Sequence, residues 1–349
     1  MKELLRDNIR NLVPYSCARD EFSGEADVYL DANENWREFI NLDTINRYPD
    51  PVCTALRKKI EQVMLLPFEN TVIGNGSDEI IDNLVRMFCN PGKDSIVILP
   101  PTYGAYKVFA DVNNVQALEI PLLSDFTLDM DAIKKVGAEQ DPTKKLLFCC
   151  SPNNPTGNAY SLDTIEEICK SFPNIVVVDE AYVDFSDKGT AVSLLAKYPN
   201  LVVLRTFSKC WALAGARVGI LVASSEICQT MRAMKYPYNV GLPSQRAALH
   251  ALNEADAVRK ELENIKTVRN EYSKKFQTLS CVTEVYPSDA NFLLIKTVDA
   301  TALWHYLTEK KIIVRNRTTQ LHCENCLRIA IGSEEECRQV YEALASWRK

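Results

Sequence analysis

Leu201-Val-Val-Leu-Arg-Thr-Phe-Ser-Lys209 joins a short apolar run to hydroxyls and a single amine. The run is too short for a helix and carries β-branched side chains, so it reads as a buried strand. Two upstream segments repeat the plan. Ile175-Val-Val-Val178 ends in Asp179-Glu-Ala-Tyr182, and Leu146-Leu-Phe-Cys-Cys150 ends in Ser-Pro-Asn153-Asn154-Pro155-Thr-Gly157. Buried strands that each deliver polar groups at their C-terminal ends are the mark of an open α/β sheet, whose ligand crevice lies along that edge.

Other segments extend the alternation. Thr71-Val-Ile73, Ser95-Ile-Val-Ile-Leu99 and a run over 218–222 read as strands. Gly74-Asn-Gly76-Ser77-Asp78-Glu79 is a turn opening a helix to about Met87. Ser161 reads as the N-cap of a helix over 162–171, with Asp163 in its favourable first turn. Leu56, Ile60 and Val63 behind Tyr48-Pro-Asp-Pro51 predict a helix within Asp43–Leu66. The result is a mostly parallel sheet with helices on both faces. Beyond about residue 245 the texture changes. A long charged helix over Ser244–Phe276 is followed by strand-like runs at 290–295, 312–315 and 326–331, a helix near 301–309 and a terminal helix from Ser333. These predict a smaller α+β domain. The expected division is an N-terminal arm over 1–40 joining the small domain, a large domain over 41–250 and the small domain over 251–349.

The 349 residues suit two domains, and 46% apolar with 25% charged residues is ordinary for a globular protein. A net charge of -6 speaks against nucleic acid or an anionic membrane surface as partner. No apolar run is long enough for a membrane helix, and Met1-Lys-Glu-Leu-Leu-Arg6 lacks the apolar core of a secretion signal, so a cytoplasmic location is expected. The twelve cysteines do not form a disulfide framework. Cys149 and Cys150 fit buried thiols on opposite sheet faces. His322-Cys323-Glu-Asn-Cys326 lacks a second pair at zinc spacing, so Cys323 and Cys326 read as loop or core thiols and no metal is expected.

An amine, a carboxylate, a phenol, an amide, hydroxyls and an arginine at one sheet edge suit pyridoxal 5'-phosphate. Lys209 fits its Schiff-base partner, which requires an amine whose pKa is lowered by burial or positive neighbours; the plain alternative is a surface lysine. Asp179 fits the pyridine nitrogen, or else caps a turn. Tyr182 and Asn154 can reach the ring oxygen, although Asn-Asn-Pro-Thr-Gly is also a good turn by itself. Gly76, Ser77 and Asp78 at a helix N-terminus, with Thr206, Ser208 and Arg217, make an anion cradle, in which the Asp78 side chain is expected to point away toward backbone donors. Tyr103 offers a ring face to the cofactor, or is a core tyrosine. Arg315 and Arg328 offer forks for carboxylate or phosphate, or form structural ion pairs.

These segments resemble the aspartate-aminotransferase-type (fold type I) pyridoxal-phosphate enzymes, and within them the histidinol-phosphate aminotransferase branch. The matching pieces include Asn46-Arg-Tyr48-Pro-Asp50, Gly74–Glu79, Pro101-Thr-Tyr103-Gly, Pro152–Gly157, Val178–Tyr182, Arg205–Lys209 with Leu213–Gly219, Ile313-Val-Arg315 and Cys323–Ile329. The resemblance implies roles. Lys209 is the Schiff-base lysine, Asp179 the pyridinium partner, and Tyr182 and Asn154 the donors to the ring oxygen. Tyr103 stacks on the ring. Gly76, Ser77, Thr206, Ser208 and Arg217 hold the cofactor phosphate, joined by Tyr48 from the other subunit of a homodimer. Arg328, Arg315 and Tyr15 bind the anionic end of the substrate, beside Asn33 of the arm. The implied reaction converts L-histidinol phosphate and 2-oxoglutarate to imidazole acetol phosphate and L-glutamate.

Two positions depart from the family pattern. Trp36 replaces a proline after Asn33-Glu-Asn35, and Cys210-Trp211 follows the lysine. Both bear on the substrate mouth and neither removes a group the chemistry requires. An aromatic amino acid aminotransferase or a pyridoxal-phosphate decarboxylase of an amino acid phosphate would use much the same residues. A regulatory cofactor-binding protein would be expected to add a basic DNA-binding segment, and the chain has none.

Overall fold

A computed structural model describes residues 2–15, 17, 27–40 and 45–348. Seven strands form the large sheet: β1 (Thr71–Asn75), β2 (Ser95–Ile98), β3 (Gln116–Glu119), β4 (Lys144–Cys150), β5 (Ile175–Asp179), β6 (Leu201–Thr206) and β7 (Val218–Ala223). Their spatial order is β1-β7-β6-β5-β4-β2-β3. Only β7 runs against the rest, pairing antiparallel with both β6 and β1. The C-terminal ends of the other six strands therefore share one edge.

Helices α1 (Thr54–Met64), α2 (Gly76–Phe88), α3 (Ala105–Val112), α4 (Met130–Ala138), α5 (Leu162–Ser171), α6 (Ser225–Met234) and α7 (Leu242–Asn253) cover the two faces. Apart from the edge strand β3, the strands are buried on both sides, and their period of two sorts side chains between two cores. Leu147, Cys149, Val176, Val178 and Val203 face α1, α5 and α7, whereas Leu146, Phe148, Cys150, Val177 and Leu204 face α2, α3 and α6. None of the twelve cysteines is paired in a disulfide.

Four antiparallel strands form a second sheet in the order β10-β11-β9-β8: β8 (Val282–Val285), β9 (Phe292–Thr297), β10 (Arg315–Asn316) and β11 (Cys326–Ala330). Leu293, Ile295, Leu327 and Ile329 pack on α8 (Ala255–Gln277), α9 (Ala300–Glu309) and α10 (Glu334–Ser346). The alternate residues Leu294 and Cys326 join the core of the large sheet. This alternation turns Arg328 toward the large sheet as well.

Several boundaries differ from the sequence reading. The helix assigned from Asp43 begins only at Thr54, because Asp50 holds the preceding turn by accepting the N–H groups of Val52 (2.9 Å) and Thr54 (2.6 Å); residues 41–44 lie outside the described set. The charged helix over 244–276 is two helices, since Glu254 leaves helical geometry and bonds back to the Ala251 carbonyl. Of the run 312–315, only Arg315 enters a strand. Of the expected arm, residues 1, 16 and 18–26 lie outside the described set. Leu5 is buried among large-sheet residues and the Arg6 N–H reaches the Met87 carbonyl at 2.9 Å, so this first turn joins the large layer, whereas the sequence predicts an arm on the small one. The cap at Ser161 forms where the sequence places it, and the terminal helix begins after Ser333, which caps it and closes a capping box with Glu336.

Helices α4 and α5 meet at Gly137, where a Cβ would overlap the Ser171 carbonyl oxygen. Helix propensity favours Ala over Gly by about 1 kcal/mol. Gly137→Ala is nevertheless expected to destabilise, by roughly 1–3 kcal/mol, because backbone must move to admit the methyl. A thermal midpoint equal to or above that of the parent would contradict this packing.

Candidate active site

The common strand edge floors a cavity of about 470 Å³. Its lining comes from five strand ends: Ser77 and Asp78 after β1, Thr102 and Tyr103 after β2, Asn154 after β4, Asp179 and Tyr182 at β5, and Thr206, Ser208 and Lys209 at β6. Arg217 enters from the loop before β7, and Arg315, Arg317, Gln320 and Arg328 close the cavity from the small sheet.

Asp179 ends the middle strand and is 3% exposed. The Tyr106 hydroxyl donates to it at 2.7 Å and the Ala181 N–H at 3.1 Å. Burial pushes its carboxyl above the usual range, and these two donors only partly offset that. Among the described residues no cation pairs with it. Lys209 stands in the open cavity yet is crowded by protein atoms. Burial lowers the pKa of its amine, and the Arg328 charge lowers it further. The amine lies 5.3 Å from the Tyr182 ring centre. Tyr182 is itself buried, which pushes its phenol up and keeps the O–H a donor.

The other end of the cavity is an anion cradle. Gly76 begins α2 at φ 78, and a Cβ there would strike the Arg217 guanidinium. The first N–H groups of a helix have no partner within it, so α2 presents free donors beside Ser77. Ser208 accepts from Arg217 at 3.3 Å and lends its own N–H to Thr206 Oγ1 at 3.1 Å. Asp78 differs from expectation. It faces the cavity, where Arg217 donates to it at 3.1 Å and the Tyr103 hydroxyl at 2.9 Å. A guanidinium with unpaired reach takes the nearest carboxylate.

Arg328 donates to Asn154 Oδ1 and lies over the Phe292 ring at 5.2 Å. Neither Arg328 nor Arg315 forms an ion pair among the described residues, so the structural-pair alternative for them fails. Three expected residues stay outside. Tyr48 stacks on Tyr238 at 4.3 Å and does not line the cavity. Tyr15 and Asn33 are exposed and do not reach it.

Sequence reading missed several members. Tyr106 follows Tyr103 by one helical turn, which places it under the same cavity wall; that spacing was the available signal. Asn153 is buried and ties the β2 and β4 loops together: its amide donates to the Pro101 carbonyl (2.8 Å) and to Thr156 Oγ1 (2.8 Å), and Thr102 donates to its Oδ1 (2.8 Å). Arg317 shares strand-side parity with Arg315.

The donor set fits pyridoxal 5'-phosphate. A buried carboxylate lacking a cation suits a protonated ring nitrogen. A lysine of lowered pKa suits an aldehyde. A helix N-terminus with Ser77, Thr206, Ser208 and Arg217 suits a phosphate.

Comparisons with known proteins agree with this geometry. The family model for aminotransferase class I and II matches residues 24–344. The histidinol-phosphate aminotransferase of Cytophaga hutchinsonii is 44% identical over 347 residues, 99% of this chain and 99% of that protein. Among solved structures, histidinol-phosphate aminotransferase from Clostridium acetobutylicum superposes with a TM-score of 0.79 at 23% identity, covering 87% of this chain and 91% of that one. The enzyme from Sinorhizobium meliloti, solved in complex with pyridoxal 5'-phosphate, gives 0.78 at 22%, covering 86% and 82%. These two establish the fold, and the close relative, aligned end to end, establishes more: the chain belongs to the histidinol-phosphate aminotransferase family of class I and II aminotransferases.

Proposed function

We propose that the protein transfers an amino group from L-histidinol phosphate to 2-oxoglutarate, giving imidazole acetol phosphate and L-glutamate, as a step of histidine biosynthesis. The observation that carries this reading is one cavity holding a lysine amine of lowered pKa between a cation-deficient Asp179 and two cationic ends. Pyridoxal 5'-phosphate, when bound, supplies an electron-accepting ring that stabilises negative charge at the substrate Cα. Ser77, Thr206, Ser208, Arg217 and the α2 N-terminus would hold its phosphate, Asp179 its ring nitrogen, Tyr182 and Asn154 its ring oxygen, and Tyr103 one face.

Lys209 carries the proton work. Its amine would hold the cofactor's aldehyde group and serve as the base that takes a proton from the donor Cα and, in the return half-reaction, gives one to the Cα of the L-glutamate product. Burial and the Arg328 charge both lower the pKa of this amine, the direction a base requires. Arg315 and Arg328 orient the anionic end of either substrate.

Kinetics with L-histidinol phosphate, phenylalanine and tyrosine test the assignment. Charged hydrogen bonds to the phosphate should favour L-histidinol phosphate in kcat/KM by roughly a hundredfold. A higher kcat/KM for phenylalanine would reverse the choice of donor, and release of CO2 would make the protein a decarboxylase.

The proposal includes a homodimer with shared sites and two domains, 41–250 and 251–349. Val13, Tyr15, Val28, Leu30, Trp36, Phe39 and Ile40 are exposed apolar residues of the arm, more than a free surface usually carries. Glu34 ties the arm to Tyr48: Arg47 donates to it at 2.8 Å and the Tyr48 N–H at 2.6 Å. Asn33 and Tyr48 thus sit together around Glu34, miss the cavity of their own chain, as Tyr15 does, and suit that of a second copy. Mixing inactive Lys209→Ala with impaired Tyr48→Ala should restore activity, toward roughly a quarter of the parental sites on random exchange in a two-fold dimer. No recovery despite demonstrated subunit exchange would place Tyr48 at its own chain's site or at none.

A further inference from the structure

Arg315, Arg317 and Arg328 all line the cavity wall made by the small sheet. The register explains why. Arg315 lies directly across from Arg328 in the β10–β11 pair. The Arg317 N–H donates to the Cys326 carbonyl at 2.8 Å, which continues the pairing one step beyond β10. With a period of two, residues 315 and 317 of one strand and 326 and 328 of the other point to the same side. Like charges directly opposite one another destabilise a strand pair.

Among the described residues no carboxylate forms an ion pair with any of the three, while Arg205, Arg217 and Arg338 each have one. The Nε of Arg317 is buried without a partner, and so are Thr318 Oγ1 and Gln320 Oε1 in the same loop. A buried donor left unmade is costly, and such groups in a cavity wall point to a ligand. Burial and the other two guanidiniums push Arg317 down to about 10, so it stays protonated at neutral pH.

We propose that Arg317 is a specificity-determining residue that completes a three-guanidinium subsite for a phosphomonoester dianion. The assignment rests on the functional reading above and deepens it. A phosphomonoester carries a charge of about −1.5 to −2 at neutral pH, with three acceptor oxygens, whereas a carboxylate carries one charge and two. One arginine fork satisfies a carboxylate. A third guanidinium matters only for the dianion, so Arg317 separates the phosphorylated amino donor from the keto-acid acceptor within one shared cavity.

The two half-reactions of the cofactor-loaded enzyme measure this directly, followed for the parent, Arg317→Gln and Arg317→Lys with L-histidinol phosphate, L-histidinol and 2-oxoglutarate. Arg317→Gln should weaken apparent binding of L-histidinol phosphate roughly 10- to 100-fold, the loss of one charged hydrogen bond. L-histidinol and 2-oxoglutarate should change by less than about threefold, and Arg317→Lys should recover part of the loss, since it returns charge without the fork. Equal losses for L-histidinol phosphate and L-histidinol would make Arg317 a structural residue, and no loss for either would remove it from the subsite. If the parent itself fails to prefer the phosphorylated donor, the functional reading falls. Inorganic phosphate as a competing probe then judges Arg317 separately: weaker inhibition of Arg317→Gln than of the parent upholds the subsite, and equal inhibition overturns it.

Discussion

The site is organised around a buried carboxylate that has no cation partner among the described residues. Asp179 sits at the end of the middle strand of seven, flanked by β4 and β6 and fixed by the Tyr106 hydroxyl and the Ala181 N–H. Ionising a group there is unfavourable unless positive charge arrives, and protein interiors rarely tolerate such a deficit without a use for it. The parallel register supplies the rest of the arrangement. Strands that end together put Lys209, Tyr182, Asn154, Tyr103 and the N-terminus of α2 around the same floor, so a ligand that answers Asp179 meets the others without any of them moving far.

The charges divide the cavity. Arg217 at the α2 end already has Asp78 as partner, which a phosphate in the cradle would compete with for the guanidinium. Arg328 of the small sheet has no such partner among the described residues and lowers the pKa of Lys209 from across the cavity. The guanidinium proposed to orient substrate thereby also lowers the pKa of the proposed base. Arg328 links these functions because it belongs to a sheet whose other face is packed on α8, α9 and α10. The small core therefore fixes the position of Arg328 in the cavity wall.

Much of this was legible in the sequence because strand ends are local signals. A β-branched run followed by Asp179 or by Thr206-Phe-Ser-Lys209 specifies both the strand and the side chains at its tip. The cap at Ser161 was readable for the same reason. What escaped depends on pairing between distant segments. The direction of Asp78 is set by Arg217, which is far away in sequence. Tyr106 reads as an ordinary amphipathic-helix residue until Asp179 is placed beneath it. Arg317 becomes a site residue only when the register puts Arg315 opposite Arg328. The delayed start of α1 turns on a side chain, Asp50, that competes for the first N–H groups. Tyr48, Tyr15 and Asn33 have no role that a single chain can display.

The most direct measurement compares the pH dependence of stability of parent and Asp179→Asn, with and without pyridoxal 5'-phosphate. An aspartate in an unfolded chain titrates near about 3.9. The folded value is raised, so in the cofactor-free protein the carboxyl costs stability that appears as pH rises above the unfolded value toward the folded one. Asn keeps an acceptor for Tyr106 and removes this titration. Without cofactor, Asp179→Asn should therefore gain on the parent as pH rises above about 4, groups common to both cancelling in the difference. With cofactor the order should invert, because only the parent meets the ring nitrogen with a negative charge. A pH-independent difference without cofactor, or equal stabilisation of both proteins by it, would contradict the role given to Asp179.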